Sequence, residues 1–180
     1  MKELSSLSLP ACSGMDIARD LYLFGFYTQG MAFVDIVFLK KKDINGNILS
    51  YHRHKSNQLI HVVVTPQMQR LINKYANNSE YVFPIIDTAL PTPVYEQYRL
   101  ALGRMNRYLK KIASLLNINV RLTTYTARHT WATLARESGA PISIISAGLG
   151  HTSEEMTRVY LKDFDLETLA KVNHVVTNLL

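Results

Sequence analysis

Tyr125-Thr126-Ala127-Arg128-His129-Thr130-Trp131-Ala132-Thr133 is followed by Leu149-Gly150-His151 and then by Thr157-Arg158-Val159-Tyr160. Arg128 offers a planar guanidinium that can grip a phosphate through two N–H groups. Tyr125 precedes it by three residues, so on a helix both project from the same side of one turn. His151 follows a glycine at the entrance to a helix, where backbone N–H groups also favour an anion. Tyr160 lies nine residues beyond His151. A helix rises about 1.5 Å per residue and its side chains lean toward the N-terminus, so a tyrosine one to two turns along can reach back to a phosphate held near His151. A nucleophilic hydroxyl, an arginine clamp and a histidine donor outline a site for phosphoryl transfer. Singly, each has a plainer reading: Tyr160 in the core or on the surface, Arg128 in a structural ion pair, His151 as a helix cap.

Outward from this stretch, the patterning is mostly helical. Residues 124–139 form a helix with a predicted buried stripe of Ala127, Trp131, Leu134 and Ala135. A short helix over 142–149 follows, and Thr152-Ser153-Glu154-Glu155 has the form of a capping box that starts another. Upstream, residues 94–116 form a long helix. Leu102, Met105, Leu109 and Ile112 are its apolar face, and Arg104, Arg107 and Lys111 share the opposite one. Residues 15–27 show helical spacing at Ile17, Leu21 and Phe24, and residues 32–39 form a second short helix or apolar run. Residues 48–53 and 59–64 flank Lys55-Ser56-Asn57 as a β-hairpin. Pro66 opens a helix to about Tyr75, and 82–86 is expected to be a further short strand. The predicted fold is mainly α, of α+β class: a helical bundle with one small antiparallel β-sheet.

Composition bounds the function. The chain has 180 residues, 47% hydrophobic and 19% charged, enough for one globular domain with a real core. One cysteine, Cys12, excludes an internal disulfide framework and any Cys-based metal cluster. His52, His54 and His61 on the hairpin have no accompanying ligand group, so no metal site is expected. The formal net charge is +6, and it is concentrated. Residues 40–55 carry Lys40, Lys41, Lys42, Arg53 and Lys55 against Asp43. Residues 99–121 carry six bases and no acid, so two basic segments sit on a mildly acidic remainder. That is the electrostatic footprint of a nucleic-acid protein. The expected backbone contacts are Lys40, Lys41, Lys42, Arg53, Arg104, Arg107 and Lys111, which position more than they specify.

Together the strings resemble the catalytic domain of the tyrosine recombinases, the phage and transposon integrases. That family's signature is His-x-x-Arg-His-Thr, then Leu-Gly-His, then a tyrosine nine residues later. Tyr125-x-x-Arg128-His129-Thr130, Leu149-Gly150-His151 and Tyr160 follow it. Tyr51-x-Arg53-x-Lys55 is similar to the hairpin that carries the family's catalytic lysine, and Tyr27-Thr28-Gln29-Gly30-Met31 with Asp35 and Leu39 resembles its first arginine box. The style is closest to integrases of Bacteroides-type mobile elements. The resemblance implies that Tyr160 attacks a DNA phosphodiester to give a 3′-phosphotyrosyl link and a free 5′-hydroxyl. Arg128 would hold the non-bridging oxygens, His151 would donate to the phosphate, and Lys55 would protonate the leaving oxygen. No cofactor, ATP or metal is implied. The partner is double-stranded DNA, with a homotetramer on DNA, a monomer off it, no membrane, and a cytoplasmic, nucleoid-associated setting in a bacterium.

The resemblance also implies one catalytic domain over 1–180, with a flexible lead over 1–14, a C-terminal helix or tail over 165–180, and the family's N-terminal core-binding domain absent. Two departures stand out. Tyr125 replaces the usual histidine, and a phenol with a reference pKa of about 10 is a poor proton acceptor near neutrality. The first arginine is expected at position 32 or 29, which hold Ala32 and Gln29. Losing one such donor typically costs about 10²–10³ in rate. The enzyme is then slow, or Arg19 substitutes, or the site binds DNA without cutting; Gln29, with its neutral N–H, is expected in the phosphate pocket. A working or slowed recombinase is the favoured reading. The competitors are a non-catalytic DNA-binding relative, a type IB topoisomerase and an RNA-binding module.

Overall fold

In the computed structural model, the structure describes residues 1–158 together with 161, 170, 173, 174, 176 and 177. The expected helical bundle with a small antiparallel sheet is what forms. The central element is α2 (Gly14–Tyr27), started by Ser13, whose hydroxyl accepts from the Asp16 N–H at 3.2 Å. Leu21, Tyr22, Leu23 and Phe24 are all buried, because neighbours cover this helix on several sides. It packs on α5 (Val94–Leu115), α6 (Thr126–Glu137), α4 (Pro66–Lys74) and α3 (Phe33–Phe38).

The end of α2 positions the site. Thr28 turns its hydroxyl back onto the Phe24 carbonyl at 2.7 Å, closing the last turn. Gln29 (φ 60°) and Gly30 (φ 77°) then take left-handed conformations in succession and swing the chain into α3. Only glycine suits position 30, since an added Cβ would lie 3.0 Å from both Cα and Cγ of Arg128.

The sheet has the order β1 (Ile44–Asn45), β2 (Ile48–His52), β3 (Leu59–Val63), all antiparallel, with Tyr51 opposite Ile60 and Ser50 opposite His61. Period-2 alternation buries Leu49, Tyr51, Ile60 and Val62 and leaves Ser50, His52 and His61 on the outer face. In α5, Ala101, Met105, Leu109 and Ile112 face the core, and Arg104, Arg107 and Lys111 are exposed. Leu102, expected on that apolar face, is half-buried at its edge.

Several expectations are corrected. Residues 82–86 are not a strand: after one bridge from Tyr81 to Lys40, the chain turns at Pro84, which has no N–H to donate. Val82, Phe83 and Ile86 are buried instead as plugs in the core. In α6 the buried positions are Ala127, Arg128 and Ala132, while Leu134 is exposed. Trp131 and Ala135 pack at the edge of a second, small apolar cluster with Ile145 and Leu149 of α7 (Ile142–Leu149). The segment expected as a lead over 1–14 contains helix α1 (Lys2–Ser6), which buries Leu4. A short helix, α8 (Glu154–Arg158), follows α7. The tail expected over 165–180 lies outside the described residues except at 170, 173, 174, 176 and 177, which are helical. Among the described residues no helix is long and apolar enough to cross a membrane.

The start of α2 is pinned by charge. Asp16 and Asp20 are buried, and Arg19 donates to both, to Asp16 at 2.5 Å and to Asp20 at 2.8 Å. Lys74 of α4 reaches both carboxylates, at 2.7 Å and 2.6 Å, and the Tyr75 hydroxyl donates to Asp20 at 2.8 Å. Burial pushes the Asp16 carboxyl up, but Lys74, the Cys12 N–H and Arg19 together hold it below the ordinary carboxylate range. Its contribution to stability is therefore present above about pH 4 and fades as pH falls through the lowered value. Removing one partner from a buried ion pair costs about 3–5 kcal/mol. Lys74 is one-third exposed, so the lower end applies here. Asp20→Ala should lower the unfolding free energy by about 3 kcal/mol, measured by urea titration; a loss under about 1 kcal/mol would show that the network holds α4 to α2 only weakly.

Candidate functional site

Arg128 sits in the first turn of α6 and is among the largest fully buried side chains, with 2% of its surface exposed. Its Nη1 donates to the Gly30 carbonyl at 2.8 Å, and its Nη2 donates to the Leu149 carbonyl and lies 3.1 Å from His151 Nε2. One guanidinium thus ties the end of α2 to the end of α7. The Thr126 hydroxyl, which accepts from the Thr123 N–H at 3.1 Å, fixes how the chain enters α6.

His151 is placed by the way α7 stops. Gly150 is left-handed (φ 61°); its N–H bonds the Ala147 carbonyl at 2.9 Å and the His151 N–H bonds the Ser146 carbonyl at 3.0 Å. This is a Schellman turn. Position 150 is also closed to larger residues, since an added Cβ would meet Ile60 Cδ1 at 2.4 Å. The ring is buried, with Nδ1 2.8 Å from the Thr157 hydroxyl. An arginine only donates, so Nε2 accepts from Arg128, and the neutral ring carries its proton on Nδ1 toward Thr157. Burial, then the charges of Arg128, Arg53 and Lys55, hold the imidazole down at about 4. The donor role expected of His151 therefore requires a second proton, on Nε2.

The hairpin tip docks on the same turn. Arg53 Nη1 donates to the Gly150 carbonyl at 2.6 Å, and the Ser56 hydroxyl approaches that oxygen at 3.3 Å. The His54 N–H donates to Asp35 Oδ1 at 2.8 Å. Burial pushes the Asp35 carboxyl up, against the His54 N–H and the charges of Arg53, His54 and Arg128. Lys55 is exposed at the tip, close enough for its charge to act on His151. Arg53 departs from the expected surface contact to a DNA backbone: it is 6% exposed and faces inward.

The other site residues spread more widely. Tyr125 is half-exposed and stands edge-on to His129, ring centroids 4.9 Å apart. Gln29 adjoins Gly30, whose carbonyl accepts from Arg128, but its own Oε1 points to Gly148, 3.4 Å from where a Cβ would stand there. Ala32 caps α3 and carries no side-chain donor. Arg19 does not substitute for the absent arginine, being engaged by Asp16, Asp20 and the Leu7 carbonyl near the far end of α2. Lys40 pairs with Glu80 at 2.8 Å and Lys41 with the Asn77 carbonyl, while Lys42 is exposed. Tyr160 lies outside the described residues. Among the described residues no cluster of ligating side chains suits a metal. Sequence reasoning missed Thr157; its place six residues after His151, on the next helix, was the available signal.

The sequence matches the phage integrase family over residues 6–167. It is 28% identical over 137 residues to tyrosine recombinase XerC of Chlamydia caviae, covering 75% of this chain and 44% of that protein. It is 40% identical over 59 residues to the integrase of Staphylococcus phage L54a, covering 32% of this chain and 17% of that one. The chain thus spans less than half the length of these relatives. Among solved structures, XerH recombinase bound to a palindromic difH substrate in a post-cleavage complex superposes with a TM-score of 0.71 at 16% identity, over 98% of this chain and 49% of that one. The Tn1549 transposon integrase in complex with transposon right end DNA gives 0.68 at 13% identity, over 97% and 63%. At these identities the structural likeness is one of fold.

The neutral state of His151 can be checked directly. Its imidazole should titrate near pH 4 by NMR of the ring. Between about 6.5 and that value the unfolded chain takes up a proton that the folded site refuses, so this residue should lower stability as pH falls through the window. A folded-state midpoint near 6.5 would contradict the arrangement.

Proposed function

Because the chain belongs to the phage integrase family, we propose that it cuts and rejoins DNA at specific sites through a covalent bond to Tyr160, serving the movement of a mobile element. The supporting observation is a buried Arg128 joined to His151 at 3.1 Å, with the Lys55 hairpin docked on the next carbonyl. In this reading the Tyr160 oxygen attacks phosphorus as its proton passes to solvent water, and the bond to the 5′ oxygen breaks. Lys55, exposed and flexible at the hairpin tip, supplies the proton that the leaving oxygen takes. Attack by a 5′-hydroxyl reverses these steps, so the phosphodiester energy is conserved and neither ATP nor metal is required.

Arg128 faces the charge that grows on the non-bridging oxygens. His151 helps once protonated on Nε2. An arriving phosphate favours that proton, because its negative charge opposes the cations that keep the ring neutral. Arg104, Arg107, Lys111 and Lys42, exposed on α5 and beside the sheet, suit contacts to the DNA backbone. Assembly of four copies on double-stranded DNA, at the bacterial nucleoid, completes the reading. The competing reading is a relative that binds without cutting, favoured by Ala32 and Gln29 where an arginine is expected.

A nicked suicide substrate separates the two. The native chain should accumulate a covalent protein–DNA adduct, and Tyr160→Phe should bind the same DNA yet form none. Adduct persisting in that variant would refute the nucleophile; no adduct with native protein would favour the binding-only relative. Binding should also weaken with salt, with a slope of log K against log salt of roughly −0.9 per phosphate contacted; a flat profile would remove the basic surface from the interface.

A further inference from the structure

The expected first arginine is missing from both places that the sequence offers for it, and the structure brings a different one to the site. We propose that Arg53 is a second arginine of the phosphate pocket, providing the cationic contact that positions 29 and 32 lack; the inference rests on the strand-cleavage reading above.

Arg53 and Arg128 are held by successive carbonyls at the C-terminal end of α7, Arg128 by Leu149 and Arg53 by Gly150. His151 is the next residue along. The two guanidiniums therefore converge on one turn, from chain segments 75 positions apart. Those carbonyls belong to a helix end whose partial negative charge favours cations. They align the guanidiniums without neutralising them. Asp35 is a buried carboxylate that feels both arginines. Arg53, Arg128 and Lys55 all bear on His151, so positive charge is in excess here among the described residues.

Arg53 is also incompletely satisfied. It is 6% exposed, its Nη1 has the Gly150 carbonyl at 2.6 Å, and its Nε is buried with no hydrogen-bond partner. A guanidinium carries five N–H donors, and a buried charged donor without an acceptor is costly. A site that keeps one suits an acceptor arriving from outside, and a phosphodiester brings two non-bridging oxygens. In the five-coordinate transition state both gain negative charge, and two arginines can meet one each. Arg53 lies two residues before Lys55. Docking of one hairpin thereby delivers the cation for the phosphate and the proton for the leaving group together.

A clamp that merely held the hairpin on Gly150 would have the same static contacts, so the test must read charge. Covalent adduct formation by the full chain is timed on two nicked substrates, one with the natural scissile phosphodiester and one with a methylphosphonate there, which lacks one negative oxygen. Arg53→Ala should slow adduct formation on the diester about 10²-fold, the typical effect of removing one such donor, and by less than about 10-fold on the methylphosphonate. Arg53→Lys, which keeps the charge, should recover most of the diester rate. The ratio of the two rates within each sample is independent of how much of a variant is folded. Equal slowing on both substrates, with native protein active, overturns the Arg53 assignment and leaves the cleavage reading intact. No adduct from native protein on the diester overturns both.

Discussion

A guanidinium taken out of water is stable only where carbonyls and rings replace the lost hydration, and Arg128 finds them at the ends of two helices. The Gly30 carbonyl comes from the turn after α2 and the Leu149 carbonyl from the last turn of α7. Neither helix could sit elsewhere without stranding a buried charge, which is far more costly than a lost surface pair. Two left-handed residues make the contacts possible. Gly30 lets the backbone approach Arg128 to van der Waals distance, and Gly150 turns the chain so that His151 faces the same guanidinium.

The electrostatics of the pocket follow from that packing. Cations from α6 and the hairpin surround His151, and burial removes the water that would screen them, so the ring is neutral and accepts from Arg128. In the proposed reading, a site with this excess of cations favours an anion. Binding and proton uptake are then linked: an anion lowers the cost of protonating Nε2, and a protonated ring adds a donor to the anion.

Helix α2 separates stability from chemistry along its length. Asp16 and Asp20, near its start, hold Arg19, Lys74 and Tyr75 in a partly buried network. Its other end leads into Gly30, whose carbonyl accepts from Arg128. From Asp16 to Gly30 is about 20 Å at helical rise. The network can therefore anchor α4 and the N-terminal segment without its charges reaching the pocket. This division also explains why Arg19, a base in the same helix, is no replacement for the absent arginine.

Much of this was legible in the chain alone, because it depends on local rules. Alternation set the faces of the hairpin at Leu49, Tyr51, Ile60 and Val62, a period of 3.6 set the buried line of Met105, Leu109 and Ile112, and the spacing of Arg128, His151 and Tyr160 pointed to one family. The misreadings arose where distant partners decide. Residues 82–86 looked like a strand by composition, but no neighbouring strand extends along them and Pro84 breaks the ladder. Leu134 fell on the expected stripe of its helix, yet the true contacts of α6 with α2 and α7 run along Ala127, Arg128 and Ala132. Arg53 read as a surface base because its charge was weighed above the alternation that carries Leu49 and Tyr51 inward; the acceptor that makes its burial tolerable is 97 positions away. Sequence determined most of the elements and the family to which the chain belongs. Tertiary structure decided which arginines turn inward and which nitrogen of His151 holds a proton, because a charged group's burial and ionisation depend on carbonyls and cations that only folding brings within a few ångströms.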